Sequence, residues 1–193
     1  RPDTEPLVDM ALPFVRAAVE RSGRCRILDL GTGTGAIALA LLRAESRAEA
    51  IATDISPDAL ATATLNADIN GIADRFRTLQ SDWFGSVGGK FHVIVSNPPY
   101  IPTMVIPSLE REVREHDPLA ALDGGPDGLN PYRVIAADAK RYLEDEGIVA
   151  VEVGHDQPDD VGQIFIREGF VPVSGADDLG GHRRALAFTV GKP

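Results

Sequence analysis

Between an apolar run, Arg26-Ile27-Leu28-Asp29-Leu30, and an apolar segment at helical spacing, residues 35–44 with Ile37, Ala38, Leu41 and Leu42, lies Gly31-Thr32-Gly33-Thr34-Gly35. Three glycines in five residues permit backbone conformations closed to other residues, and they let a ligand approach the main chain where side chains would clash. Strand, tight loop and helix in that order form one step of a sheet whose parallel strands are joined by right-handed helical crossovers. Ligands of such sheets bind outside the carboxyl ends of the strands.

The alternation extends over the chain. A first helix is expected over residues 5–20, where Leu7, Val8, Leu12, Val15 and Val19 recur at helical spacing, with Thr4 as candidate cap and Pro6 in the first turn, where a missing N–H costs little. Strands are expected over residues 50–54, 76–80, 91–96 and 148–153, with helices over 57–70, near 132–143 and over 159–168. Two last strands, 171–173 and 185–190, are separated by a loop with Gly180 and Gly181 and no helix, which suits an antiparallel hairpin closing the sheet edge. The fold class is therefore α/β, a mostly parallel sheet covered on both faces. Residues 101–130 are irregular and rich in Pro, Gly and charge, and so long a loop in a compact domain is usually functional or mobile.

A length of 193 residues suits one α/β domain, so residues 1–193 are read as a single unit. No apolar run reaches the ~18 residues needed to span a bilayer, and Arg1-Pro2-Asp3-Thr4-Glu5 has no signal-peptide pattern, so a cytoplasmic protein is expected. The first residue is Arg rather than Met, so the chain is expected to begin inside a longer one. The single cysteine, Cys25, can form neither an internal disulfide nor a Cys-rich zinc site, and it reads as a small buried hydrophobe. A formal charge of −10 opposes broad capture of nucleic acid, which needs clustered Lys and Arg, and favours a protein or small-molecule substrate. His92, His116, His155 and His182 lack metal-ligand spacing, and no metal is expected.

The glycine loop is one residue shorter than the dinucleotide fingerprint and suits a cofactor without a pyrophosphate. Asp54 ends the second strand, where a carboxylate can accept both ribose hydroxyls of an adenosine; a lesser alternative, compatible with the first, is a helix cap before Ser56-Pro57. Ile55 follows it as a further candidate contact. Past the third strand, Asp82 and Trp83 offer an adenine ring a hydrogen-bond acceptor and an aromatic face, although Trp83 could instead be core packing.

The most specific segment is Asn97-Pro98-Pro99-Tyr100, at the end of the apolar strand Val93-Ile94-Val95-Ser96. Two prolines remove two backbone donors, fix φ at each ring and force an extended exit that leaves carbonyls free. The Asn97 side-chain oxygen and the Pro98 carbonyl could each accept one N–H of a planar NH2 group, turning the nitrogen lone pair toward a cofactor methyl. Hydrogen bonds that favour a pyramidal nitrogen are stronger in the transition state than in the ground state, as catalysis requires. Tyr100 can stack on the planar group and exclude water. Such a methyl transfer is in-line displacement on a sulfonium and depends chiefly on orientation, calling for neither metal nor strong base.

With these motifs in order, the chain resembles the release-factor glutamine methyltransferases of the HemK/PrmC type over nearly its whole length. The matching stretches are RPDTE from Arg1, ILDLGTGTGAIALA from Ile27, LQSDWF from Leu79, IVSNPPYI from Ile94, ALDGGPDGL from Ala121, VEVGHDQ from Val151 and DLGGHRR from Asp178. The resemblance implies the Rossmann-like class I S-adenosylmethionine-dependent methyltransferase fold, with a seven-stranded sheet. It places S-adenosyl-L-methionine at Gly31, Thr32, Gly33, Thr34, Gly35, Asp54, Trp83 and Asn97, with S-adenosyl-L-homocysteine as product. Its reaction is N5-methylation of the glutamine in the Gly-Gly-Gln loop of a class 1 peptide release factor, with Asn97, Pro98, Pro99 and Tyr100 holding that glutamine. Such proteins also carry a helical N-terminal domain, and this chain begins where that domain would end. His116-Asp117-Pro118 departs from the Phe-Glu-Pro expected in the family, which puts any contact of the longer Glu in doubt. A monomer acting on a protein is expected, without direct binding of nucleic acid or membrane.

The motif Asn-Pro-Pro-Tyr also occurs in methyltransferases of adenine or guanine exocyclic amino groups, so the site residues specify a planar NH2 and not its carrier. The acidic balance, the absence of an evident base-flipping domain and the flanking motifs favour the amide. Glutamine methylation of a ribosomal protein is the nearest alternative. A cofactor-binding module without activity would leave the intact Asn97 to Tyr100 segment unexplained.

Overall fold

The computed structural model describes residues 4–109 and 119–191. Among them seven strands, β1 Cys25–Leu30, β2 Ala48–Asp54, β3 Phe76–Gln80, β4 Phe91–Ser96, β5 Leu143–Glu152, β6 Phe170–Asp177 and β7 Arg183–Val190, form one sheet in the order β3-β2-β1-β4-β5-β7-β6. β1 pairs parallel with both β2 and β4, β2 with β3, and β4 with β5, whereas β7 runs antiparallel to β5 and β6. The expected mostly parallel sheet with an antiparallel edge hairpin is what forms, with β7 inserted between β5 and β6.

Among the described residues five α-helices, α1 Glu5–Ser22, α2 Ala36–Ala44, α3 Pro57–Ile69, α4 Asn130–Asp138 and α5 Pro158–Arg167, cover the sheet. The inner strands are buried on both faces, so successive residues feed different cores. Ile27, Val93 and Val95 join α1, α2 and α3 on one side, and Leu28, Ile94 and Val149 join α4 and α5 on the other. Small residues set the first interface: Ala48, Ala50 and Ala52 of β2 lie beneath Ala38 and Ala63, which lets the helices approach the strands closely. On the opposite side Phe165 of α5 stacks on Phe188 of β7 at 4.3 Å and meets Phe170 of β6 edge-on at 5.4 Å. This aromatic group fastens the edge hairpin to the parallel part.

Several expected boundaries shift. The helix expected near 132–143 ends at Asp138 and tightens into a 3-10 turn over Ala139–Tyr142, because Ala139 is buried and Tyr142 stacks on Phe84 at 4.7 Å. Leu143 already belongs to β5, opposite Phe91, and a register break between Phe91 and Val93 accommodates Glu144, Asp145 and Glu146, whose charges hide this start in the sequence. β6 runs through Pro172 and Gly175, residues that break a strand signal but are tolerated on an edge strand beside a register break. Thr4 stands at the N-cap of α1 in a helical conformation and makes no side-chain cap, although Pro6 does occupy the first turn. Cys25 is buried, and burial pushes its thiol up to about 12, in keeping with an inert core residue. No described helix is long and apolar enough to cross a membrane. Arg1 to Asp3 of the first motif and His116-Asp117-Pro118 lie outside the described residues.

Truncating Phe165 to Ala would remove a side chain that is fully buried between α5 and the hairpin. The expected loss is about 3–5 kcal/mol of unfolding free energy, read from the urea midpoint at unchanged slope.

Candidate functional site

The strand pairings bring the chemistry together. Leu30 lies opposite both Thr53 and Ser96, and Asp54 lies opposite Gln80, so β1, β2, β3 and β4 end level. Gly31, Ile55, Ser81 and Asn97 therefore leave the sheet side by side. β1 is the strand at which the order reverses, β2 and β3 lying to one side and β4 and β5 to the other. That is where open α/β sheets form a ligand crevice.

Each glycine of the loop has a distinct role. Gly31 and Gly33 hold φ of 67° and 55°, and a Cβ on either would point into open space, the space a ligand would fill. Gly35 also has positive φ, but a Cβ there would press on Ala63 Cβ and Leu39 Cδ1 at 3.2 Å, so this glycine serves the packing of α2. The Thr32 amide donates to the Thr53 carbonyl at 2.8 Å, and the Gly35 amide closes the turn on the Thr32 carbonyl at 2.9 Å.

Asp54 spans two loops. One carboxylate oxygen accepts from the Gly33 amide and the other from the Ser56 amide, each at 2.9 Å. It is not the cap of α3: Ser56 is, accepting from the Ala59 amide at 3.3 Å. Each Asp54 oxygen keeps a lone pair. Ile55 beside it is 59% exposed and presents apolar surface at this end of the sheet.

After β3, Asp82 is exposed and Trp83 is partly buried against the core beneath α4. Trp83 has φ of 47°, a left-handed conformation that costs a non-glycine residue of order 1–3 kcal/mol. Ser81 holds it there, donating its hydroxyl to the Trp83 carbonyl at 2.8 Å and accepting from the Ser86 amide at 2.9 Å. Core packing of Trp83 is thus partial and leaves some of the ring accessible.

At the end of β4 the Ser96 hydroxyl donates to the Leu30 carbonyl at 2.7 Å and ties this strand end to the root of the glycine loop. Asn97 is half-buried, and no described residue hydrogen-bonds its side chain. Pro98 is buried, and Tyr100 packs against the same core as Trp83. Residues 101–103 then bind residues 122–125, through Ile101 to Leu122, Gly124 to Ile101 and Thr103 to Gly125. Of the described histidines, His92 lies at the opposite end of the sheet accepting from the Arg26 amide, and His155 and His182 are exposed.

Residues 7–107 match the family described as the methyltransferase small domain. The chain belongs to this family. It is 56% identical to a release factor glutamine methyltransferase of Agrobacterium fabrum, covering 97% of this chain and 65% of the relative. A protein of the same name from Rhodospirillum rubrum is 46% identical, covering 96% and 56%. The chain thus spans less than two thirds of the length of these relatives. Among solved structures it resembles the catalytic domain of hMettl16 with a TM-score of 0.73 at 16% identity, covering 97% of this chain and 71% of that one. The fold is that of class I S-adenosylmethionine-dependent methyltransferases.

One residue of this methyltransferase domain escaped the sequence reading. Asp29 lies in β1, wholly buried beneath the glycine loop; it accepts the Thr32 hydroxyl at 2.7 Å on one oxygen while the other has no hydrogen-bond partner. An Asp inside an otherwise apolar strand was the available signal. Burial, only partly offset by the Thr32 hydroxyl, raises its pKa from 3.8 to about 6. The folded state therefore holds this proton more tightly than the unfolded chain, so the stabilisation is complete below about pH 3.8 and lost as pH rises through about 6. Two pKa units correspond to about 3 kcal/mol. The Asp29→Asn variant, free of ligand, should therefore be more stable than the parent at pH 7.5, by about 1–3 kcal/mol, and should show a flatter stability profile between pH 4 and 6. Urea denaturation across pH 4 to 8 reads both; equal stabilities at pH 7.5 would contradict the assignment.

Proposed function

We propose that this chain is the catalytic domain, residues 1–193, of an S-adenosyl-L-methionine-dependent methyltransferase whose acceptor is the side-chain amide of a glutamine in a class 1 peptide chain release factor. The observation that carries this reading is the position of Asn97-Pro98-Pro99-Tyr100, which leaves β4 level with the glycine loop and tied to it by Ser96, so that acceptor and donor sites adjoin. The names of the relatives from Agrobacterium fabrum and Rhodospirillum rubrum support the choice of acceptor.

The residues fit the cofactor. S-adenosyl-L-methionine, when bound, supplies an electrophilic methyl group on a positively charged sulfur. Two neighbouring carboxylates, Asp29 with one unpartnered oxygen and Asp54, favour a cationic ligand at this end of the sheet. Gly31, Thr32, Gly33, Thr34 and Gly35 offer main chain to its amino-acid part, and Asp54 offers lone pairs to the ribose hydroxyls. Ile55 and Trp83 present apolar surface to the adenine, and Asp82 accepts from its amino group.

On the acceptor side, Asn97 and the Pro98 carbonyl receive the two N–H groups of the amide and favour a pyramidal nitrogen, which takes its lone pair out of conjugation with the carbonyl and turns it toward the methyl group. Pro98 and Pro99 fix φ at two successive residues, which pre-organises both acceptors before the substrate arrives. Tyr100 stacks on the planar group and keeps water out. The reaction belongs to the cytoplasm, where translation ends; the acceptor nitrogen, on taking the methyl group, gives up one N–H proton to solvent, and S-adenosyl-L-homocysteine is released.

Incubating the protein with S-adenosyl-L-methionine and a release factor should add one methyl group to the peptide carrying the Gly-Gly-Gln glutamine, as read by mass spectrometry of tryptic fragments. Incorporation into a ribosomal protein or into adenine or guanine instead would redirect the acceptor and leave the donor site standing. Asn97→Ala should lower kcat by about 10² or more while cofactor affinity by calorimetry stays nearly constant. Turnover close to that of the parent would refute the role of Asn97.

A further inference from the structure

We propose that Gln157 is the positioning residue of the acceptor site, a buried clasp that sets where Tyr100 and the carbonyls before it stand; this rests on the reading that Asn97 to Tyr100 hold the acceptor nitrogen. Gln157 follows β5, immediately before α5, and is 7% exposed. Its amide nitrogen donates to the Tyr100 carbonyl at 2.9 Å and to the Gly128 carbonyl at 3.3 Å, and its oxygen accepts from the Gly154 amide at 3.1 Å. Two carbonyls on one side and an N–H on the other fix the orientation of the amide unambiguously.

Three loops thereby meet on one side chain: that after β4, that before α4 and that after β5. The fit leaves no slack. A Cβ on Gly128 would lie 2.4 Å from the Tyr100 oxygen and 2.8 Å from the Gln157 nitrogen, and one on Gly154 would lie 2.7 Å from the Gln157 oxygen. The acceptor segment is therefore pinned at both ends, by Ser96 to Leu30 before Asn97 and by Gln157 after Tyr100, with two prolines between. Few backbone torsions remain free between the pins. Gln157 itself need not touch the substrate: it acts through the Tyr100 backbone, and a shift of about 1 Å in such a segment is enough to cost about 10² in rate.

Two variants separate positioning from bulk stability. Gln157→Leu keeps the size and removes every hydrogen bond, so kcat should fall about 10- to 100-fold at every pH while the cofactor dissociation constant stays within about threefold. Gln157→Glu keeps the shape; its carboxyl can donate to the Tyr100 carbonyl only when protonated, and a carboxylate facing two carbonyls is repelled. The kcat of Gln157→Glu relative to the parent should therefore rise toward one as pH is lowered and fall toward the Leu value as pH is raised, a dependence that loss of core stability alone would not produce. Melting temperatures recorded at each pH keep the comparison to folded protein, and if Gln157→Leu does not fold, the Glu profile decides alone. A Leu variant with parental kcat, or a Glu ratio independent of pH, would overturn the proposal. Absence of methyl transfer by the parent enzyme would instead count against the underlying function, so the two failures are told apart.

Discussion

Everything at the crevice depends on the parallel pairing of β1 with β2 on one side and β4 on the other. Because Leu30 is level with Thr53 and Ser96, three loops emerge at one height, and short hydrogen bonds then lock them: Thr32 to Thr53, Gly33 to Asp54, Ser96 to Leu30. A slip of one residue in either pairing would exchange the residues facing the two cores as well as misalign the loops. Register is thus tied to the packing of Ile27 and Val93 in one core and of Leu28 and Ile94 in the other, as well as to the loop contacts. Core packing and site geometry are the same constraint seen from two ends of the strand.

Against that rigid frame, the glycine loop carries a local cost. Asp29 is a carboxylate in the middle of apolar burial with an oxygen left unpartnered, and Trp83 is held in a left-handed conformation two strands away. Neither is the choice a stable sheet would make for itself. Both lie where β1 and β3 reach the crevice, and local rules are expected to be broken where a ligand completes the arrangement. The proposed cationic cofactor, settling near Asp29, would lower that raised pKa, and binding and folding would then be coupled through one carboxyl group.

The alternation of strands and helices, the glycine loop and the hairpin at the end were legible because each rests on local pattern: runs of apolar residues, helical spacing, glycines at turns. β3 and β4 could be bounded to the residue for that reason. The start of β5 was not, because Glu144, Asp145 and Glu146 look like a loop and only the partner Phe91 makes Leu143 a strand residue. The capping of α3 by Ser56 in place of Asp54, like the failure of Thr4 to cap, is decided by backbone angles that composition does not reveal. The roles of Asp29 and Gln157 were not legible for a deeper reason, although an Asp in an apolar strand marks the first as unusual. Their meaning lies in what surrounds them, a hydroxyl beneath a loop in one case and three loops from distant parts of the chain in the other, and no spacing along the sequence encodes that.

The proposed acceptor site also explains why its selectivity is for a kind of nitrogen and not for a molecule. Two acceptors fixed by the same rigid segment require a donor with two hydrogens in one plane; a hydroxyl has one and would leave a partly buried acceptor unpaired, at a cost of about 1–3 kcal/mol. An NH2 on a glutamine, an adenine or a guanine satisfies them equally. The choice among these must come from surface outside the crevice, and the net charge of −10 opposes a polyanion there. On the proposed reading, selection of the atom rests on the end of β4 and its prolines, and Gln157, which joins the segment after β4 to those before α4 and after β5, would bear on rate without contacting either reactant.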